Sequence, residues 1–314
     1  MLYDLNIAWS PSTPPADLDR TLRFAKSLGY DVIALNHSIT SSIPNSPTPI
    51  PNPLPTLPAS PSLPTALRRV TLTITDPATT NYRLLDFARA YDLLALRPTS
   101  EKAFAWACSG TTEPPALISL DMTAFLGFHI HHRTAMAAVH RGTRFEVCYG
   151  QAVAPGVDAR QRANFIGNVL SLLRATKGRG IVVSSEARGA LTLRAPADVV
   201  NLMAVWGLGP ERGTEALGAG ARAVVVNEGI KRRGFRGVVD IVKTAEEEEG
   251  AAEARRAEAE RGREGKGEGK KKGQGQGQKR KSEGGAGGGG GGEGTVSKRQ
   301  AKKMKKDGVV AAGK

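Results

Sequence analysis

A chain of 314 residues with a formal net charge of +14 and only two cysteines excludes several classes at once. Two thiols cannot build a disulfide framework, no apolar run reaches membrane-spanning length, and the N-terminal MLYDLNIAWSPS has an acid where a secretory signal needs a basic region. The expectation is a soluble, non-secreted protein with Cys108 and Cys148 buried as thiols, and no membrane partner. Half of the excess charge lies in the tail from Lys243, with 19 Lys and Arg against 12 Asp and Glu. The rest of the chain is therefore basic in its own right, and a polyanion such as RNA is the ordinary partner for such a surface.

In chain order, Leu2 to Ile7 reads as a strand, and Asp17 caps a helix whose stripe is Leu18, Leu22, Ala25 and Leu28, stopped by Gly29. Val32 to Leu35 is a second strand, ending at Asn36 and His37. Residues 40 to 65 then hold nine of the nineteen prolines, which fits neither helix nor interior strand and predicts an exposed, extended loop inserted into the domain. The pattern resumes with strands at Arg69 to Ile74, Leu93 to Leu96, Ala116 to Leu120, Phe145 to Cys148, Ile181 to Val183 and Ala223 to Val226. Between them lie helices at Asn81 to Ala90, Ser100 to Cys108, Arg133 to His140, Arg160 to Leu173, Val199 to Trp206 (with Pro196 near its start) and Glu211 to Leu217. Phe235 to Val242 closes the domain.

Eight short apolar strands alternating with helices imply a parallel sheet covered on both faces. They fit an α/β fold of the TIM-like barrel type over residues 1–242, with an open doubly wound sheet as the alternative. Beyond Val242 the composition turns to Gly, Lys and Glu, including six consecutive glycines. Residues 243–314 thus read as a disordered basic tail, whose clusters Lys279 to Lys281 and Lys298 to Lys306 suit nuclear localisation or RNA contact.

No complete catalytic set emerges. His129, His131 and His132 resemble a metal cluster, but only Asp121 stands near them in sequence, and zinc or two-metal sites need further ligands from other strand ends. Asp4 with Asn6, Asn36 with His37, and Asn227 with Glu228 fall at strand ends and suggest a hydrogen-bonded polar ring in the barrel mouth. Gly178 and Gly180 precede their strand, so they form no phosphate or dinucleotide loop, and Ser184 and Ser185 lack a nucleophile elbow. No cofactor is expected. The cations are more coherent: Arg97 and Lys102 after the fourth strand, Arg188 and Arg194 after the seventh, and Lys231, Arg232, Arg233 and Arg236 after the eighth. All would lie at one end of a barrel and face phosphates there.

Several blocks in order, LGYDVIALNH (28–37), YDLLAL (91–96), RGTRFEV (141–147), KGRGIVVSS (177–185) and RAPADVVNL (194–202), resemble the thirty-kilodalton protein subunit family of ribonuclease P and the related ribonuclease MRP. The resemblance spans residues 2–242 apart from the proline-rich loop. It implies a TIM-like barrel related to PHP-type metal-dependent phosphoesterases but without their full metal set, in keeping with Asp4 and Asn6 standing where such enzymes carry histidines. It further implies a non-catalytic subunit of an RNA-based endonuclease that removes 5′ leaders from precursor tRNA and, in the MRP particle, assists ribosomal RNA processing. The implied partners are ribonuclease P or MRP RNA, precursor tRNA and other protein subunits, in the nucleus and nucleolus. Arg97, Lys102, Arg188, Arg194, Lys231, Arg232 and Arg233 would contact the RNA, with no metal held by the protein. The competing reading is a metal-dependent phosphoesterase of the PHP-like barrel type with an unusual ligand set.

Overall fold

The computed structural model describes residues 1–40, 43, 44, 46–51, 62–78, 83–235, 239 and 240. Seven parallel strands run in sequence order: β1 (Tyr3–Trp9), β2 (Val32–Ile39), β3 (Thr65–Ile74), β4 (Leu93–Pro98), β5 (Leu117–Ser119), β6 (Arg144–Cys148) and β7 (Ile181–Ser184). Parallel neighbours need a crossover back to the same end of the sheet. Helices on those connections are α1 (Pro15–Ser27), α2 (Leu84–Ala90), α3 (Glu101–Ala105, continued by a π-turn over Trp106–Gly110), α4 (His132–His140), α5 (Gly150–Val153) and α6 (Ala159–Thr176). After β7 come α7 (Pro196–Val205), α8 (Pro210–Leu217) and α9 (Ala219–Arg233). The sheet curls until the chain just beyond β7 meets β1, where Ala187 bridges Ile7 and its carbonyl accepts the Ala8 amide at 2.8 Å.

Alternation along the strands divides the core in two. Ile33, Leu35, Val70, Leu72, Leu94, Leu96, Val147 and Val183 pack outward against Leu18, Leu22, Phe87, Phe104, Phe165, Val169 and Met203 of the helices. Tyr3, Leu5, Val32, Ala34, Leu93, Ala95, Leu117 and Val182 form a separate, smaller inner cluster. Burying each large apolar side chain contributes roughly 1.5–3 kcal/mol, so both layers hold the barrel closed. Helix α6 starts on a capping box: Asp158 accepts from the Gln161 amide at 2.6 Å and donates its own amide to the Gln161 side chain at 3.0 Å.

The segment expected as the eighth barrel strand is helical. Residues 223–226 lie inside α9, whose buried positions are Ala221, Val224 and Glu228 while Arg222, Val226 and Asn227 are exposed. That spacing is helical; a short run of apolar residues fits a buried helix as well as a strand, and periodicity within the run alone cannot separate them. Helix α9 lies across the N-terminal end of the barrel: Gly220 at its start is beside the Ile181 carbonyl, and Arg232 at its end donates to the Tyr91 carbonyl at 3.1 Å. Ala221 and Val224 plug the inner cluster from below. The segment expected to close the domain instead contributes Gly234–Phe235, paired antiparallel with Val239–Asp240 apart from the barrel sheet.

Part of the proline-rich insertion is anchored. Ile50 is buried in the outer core, and the Tyr91 hydroxyl donates to the Thr48 carbonyl at 2.6 Å. Residues 52–61, the first residues of the expected helix at 81–90, and the tail from 243 lie outside the described residues.

Candidate nucleic-acid interface

Above the inner apolar cluster the barrel interior becomes polar, and it is organised by a residue that strand reasoning treated as a boundary. Arg69 on β3 is fully buried and makes a bidentate ion pair with Glu146 on β6, at 2.5 and 2.6 Å. The same guanidinium donates to the Leu5 carbonyl (2.6 Å) and to Thr71 Oγ1 (3.2 Å). Thr71 Oγ1 donates to Asn36 Oδ1 at 2.8 Å, the Asn36 amide to Asn6 Oδ1 at 2.8 Å, and the Asn6 amide to Glu146 Oε2 at 3.3 Å, closing a ring. Burial alone raises a carboxyl pKa; here the charge and hydrogen bonds of Arg69 outweigh it and hold Glu146 down at about 2.

Asp4 behaves in the opposite way. Its Oδ1 accepts from the amides of Ser185 (3.0 Å) and Asn6 (3.2 Å) at the β1–β7 seam, while its Oδ2 has no hydrogen-bond partner among the described residues. Burial without a cation pushes its pKa up to about 6. The polar ring expected from strand ends thus includes Asn6 and Asn36. His37 is on the other side of β2, edge-on to Trp9 and 3.1 Å from the Tyr91 hydroxyl, and Asn227 and Glu228 are on α9.

At the C-terminal end of the strands a cleft of about 560 Å³ opens, with Arg97, Asp121, Gln151, Gln161, Glu186 and Arg188 on its walls. Arg97 Nη2 is 2.8 Å from Glu186 Oε1 and also donates to Ser119 Oγ at 3.1 Å. Gln151 Nε2 donates to Glu186 Oε2 at 2.7 Å. Glu186 has a φ of 53°, a left-handed conformation that is costly for a residue with a side chain and is retained where the surroundings fix it. Gly150 starts α5 so close to β7 that a Cβ would come within 2.2 Å of the Ser185 carbonyl oxygen, so only glycine fits.

The expected RNA-facing cations do not form one group. Arg188 and Lys102 are exposed at the C-terminal end, and their side chains have no hydrogen-bond or ion-pair partner among the described residues. Arg194 is exposed before α7, and its side chain donates only to the carbonyls of Leu191 and Leu193, both at 2.9 Å. Arg97 belongs to the same end but is tied to Glu186. Lys231 and Arg232 sit on α9 at the opposite end, ion-paired with Glu228 at 2.7 Å and Asp92 at 2.6 Å. Arg233 ends α9 and its side chain, like Arg236, lies outside the described residues. The split follows directly from the missing strand: a helix across the base carries its C-terminus to the base, where a strand would have carried it to the mouth. Of the three histidines, His129 and His131 stack edge-to-face at 5.0 Å and His132 Nδ1 lies 2.6 Å from the Ala175 carbonyl oxygen. Among the described residues no three His, Cys, Asp or Glu side chains are placed to hold a metal ion, and no helix is long and apolar enough to cross a membrane.

The family described as RNase P subunit p30 matches residues 1–233. The chain belongs to that family. A relative from Schizosaccharomyces pombe, "Probable ribonuclease P protein subunit 3", is 32% identical over 242 residues, covering 76% of this chain and 99% of the relative. The "Ribonuclease P/MRP protein subunit RPP1" of Saccharomyces cerevisiae is 31% identical over 252 residues, covering 75% of this chain and 83% of the relative. In three dimensions the barrel is similar to a chain of an archaeal ribonuclease P determined by cryo-EM with mature tRNA, with a TM-score of 0.58 at 12% identity over 77% of this chain and 99% of that one. At that identity the likeness concerns the fold.

The barrel thus has an open cleft at its mouth and a throat filled by a neutralised ion pair. A carboxylate such as Glu146, already chelated by a guanidinium, is a poor base and a poor metal ligand, because each use would first break a buried pair. Sequence reasoning missed Arg69 and Glu146. The available signal was a charge flanked by apolar residues inside each strand, Arg69 before Val70 on β3 and Glu146 between Phe145 and Val147 on β6, two charges of opposite sign that each need a partner if buried.

Proposed function

We propose that this p30-family chain acts as a protein subunit of ribonuclease P, and of the MRP particle, with chemistry carried by the RNA and the barrel supplying RNA contact and subunit docking. The observation that carries this reading is the contrast at the mouth: the arginines that point inward, Arg69 and Arg97, are each paired with a carboxylate, whereas Arg188, Lys102 and Arg194 face solvent without a carboxylate partner among the described residues. Unpaired arginines and lysines at the mouth, of which Arg188 lines the cleft, are suited to phosphate oxygens, to which they bring charge and, for arginine, a two-pronged donor. Ribonuclease P or MRP RNA, precursor tRNA in the assembled particle, and neighbouring protein subunits are the partners. Arg97 keeps a share of this role as the residue that fixes Glu186 and the cleft wall. A nuclear and nucleolar location rests on the basic clusters Lys279 to Lys281 and Lys298 to Lys306 of the tail.

The test is to tag the protein in its native cells, purify it under mild conditions and sequence the bound RNA. Enrichment of ribonuclease P or MRP RNA, with precursor-tRNA cleavage abolished by RNA digestion, is expected. Metal-dependent phosphoester cleavage by an RNA-free preparation would overturn the proposal and move the chemistry into the barrel.

A further inference from the structure

The end of the barrel away from the mouth carries a second cavity, of about 330 Å³, between the start of β6, the start of β7, α8 and the first turn of α9. Three arginines line it, Arg144, Arg179 and Arg212, against one acidic residue, Glu215. Glu215 is already engaged by Arg212 at 2.8 Å. Arg144 donates through Nη1 to the Val139 carbonyl at 3.2 Å, and the exposed Arg179 side chain has no partner among the described residues. Neither faces a carboxylate in an ion pair. Ala219 and Gly220, the first residues of the 15-residue helix α9, form another wall beside the last turn of α8, whose Glu215 carbonyl lies against Gly220, so the two helix ends oppose each other and the charge of the cavity is set by its side chains. Three cations, one of them neutralised, around a concave surface leave an excess of positive charge there.

We propose that this cavity is a second RNA-contact site, binding one backbone phosphate and its flanking sugar. The occupant is a phosphodiester because all three cations are arginines, whose planar fork matches phosphate oxygens in pairs, and the volume exceeds that of a bare phosphate. The proposal rests on the reading of the protein as an RNA-bound subunit, but uses a surface on the opposite end from Arg188 and Lys102. An RNA held at both ends would wrap the barrel flank between β6 and β7, where the seven-stranded cylinder is capped by α8 and α9.

The experiment measures binding of the full-length protein to the RNA that co-purifies with it, across a salt series. Removing one cation from a backbone phosphate should make the slope of log affinity against log salt shallower by about one. Arg179→Gln and Arg212→Gln should each reduce the slope, and Glu215→Gln should tighten binding. Arg188→Gln serves as the mouth control, and the two ends should add independently. If the cavity variants leave slope and affinity at wild-type values while Arg188→Gln weakens binding, the second site is wrong and the mouth reading stands. If only the cavity variants weaken binding, the mouth assignment fails and the cavity stands. Dissociation of a protein subunit from the purified particle in Arg179→Glu, with RNA binding intact, would overturn the proposal in favour of an acidic protein partner. Thermal melting of each variant checks folding; for an exposed side chain such as Arg179 no change is expected.

Discussion

The throat and the rim of this barrel use the same residue types for opposite ends. In the throat, Arg69 and Glu146 are excluded from water and satisfied by each other, by a carbonyl and by a ring of amides and a hydroxyl. At the rim, Arg188 and Lys102 have solvent and no carboxylate among the described residues. Charge in the throat is thereby committed to the fold, and charge at the rim is free for a partner. The lesson is that arginine number alone does not locate a binding surface; the pairing state of each arginine does.

The comparison predicts a steep gradient of effects. The largest belongs to the throat: Glu146→Ala or Arg69→Ala leaves an uncompensated buried charge and should destabilise by about 3–5 kcal/mol, read as a lower urea midpoint. A double replacement by apolar residues of similar volume should recover much of that deficit. Because Glu146 is held at about 2 against its ordinary 4.5, the wild-type pair contributes fully above about pH 4.5 and loses that contribution as the pH falls towards 2. Acid melts of wild type and Glu146→Gln should therefore converge in that window, and parallel curves would contradict the pairing.

Gly150→Ala comes next. Its Cβ would meet backbone, not a movable side chain, so strand β7 or helix α5 must shift at a cost of about 1–3 kcal/mol, detectable by calorimetry. Asp4→Asn reverses the sign. Asp4 titrates near 6 in the fold against its ordinary 3.8, so stability falls as the pH rises through that interval. The variant should gain on the order of 1–3 kcal/mol above pH 6 and nothing below about pH 4, a difference that melts at the two pH values would reveal. Smallest for the fold is Arg188→Ala: a change within about 0.5 kcal/mol in stability, accompanied by weaker RNA binding and a shallower salt dependence. A rim variant that unfolds the protein would erase the distinction between throat and rim.

Much of the barrel was legible because its strands are short apolar runs punctuated by Gly, Pro, Asp and Asn, and all seven run where those runs lie. Helix α6 was clear from Phe165, Val169 and Leu173 repeating at helical spacing on one face. The failure at residues 223–226 has a definite cause. Three consecutive valines satisfy a strand by propensity, and only the burial of Ala221, Val224 and Glu228 against the barrel base makes them helix. That one error carried Lys231 and Arg232 to the wrong end. The site was less legible than the fold: Arg188, Lys102 and Arg194 were placed at the mouth, but whether a cation is spoken for depends on partners such as Glu186 for Arg97, 89 residues away.

Composition and local pattern by themselves determined that this chain folds as alternating β and α elements, that its basicity extends into the folded part, and that its order of blocks is that of the p30 family. Those properties depend on residue type and on spacings of a few residues. Tertiary structure alone decided that seven strands and a plugging helix make the barrel, that Arg69 meets Glu146 across it, and that the cations divide between two ends. The physical reason is range: periodicity reports which face of an element is apolar, while pairing of buried charges and closure of a cylinder are settled by groups 77 residues apart.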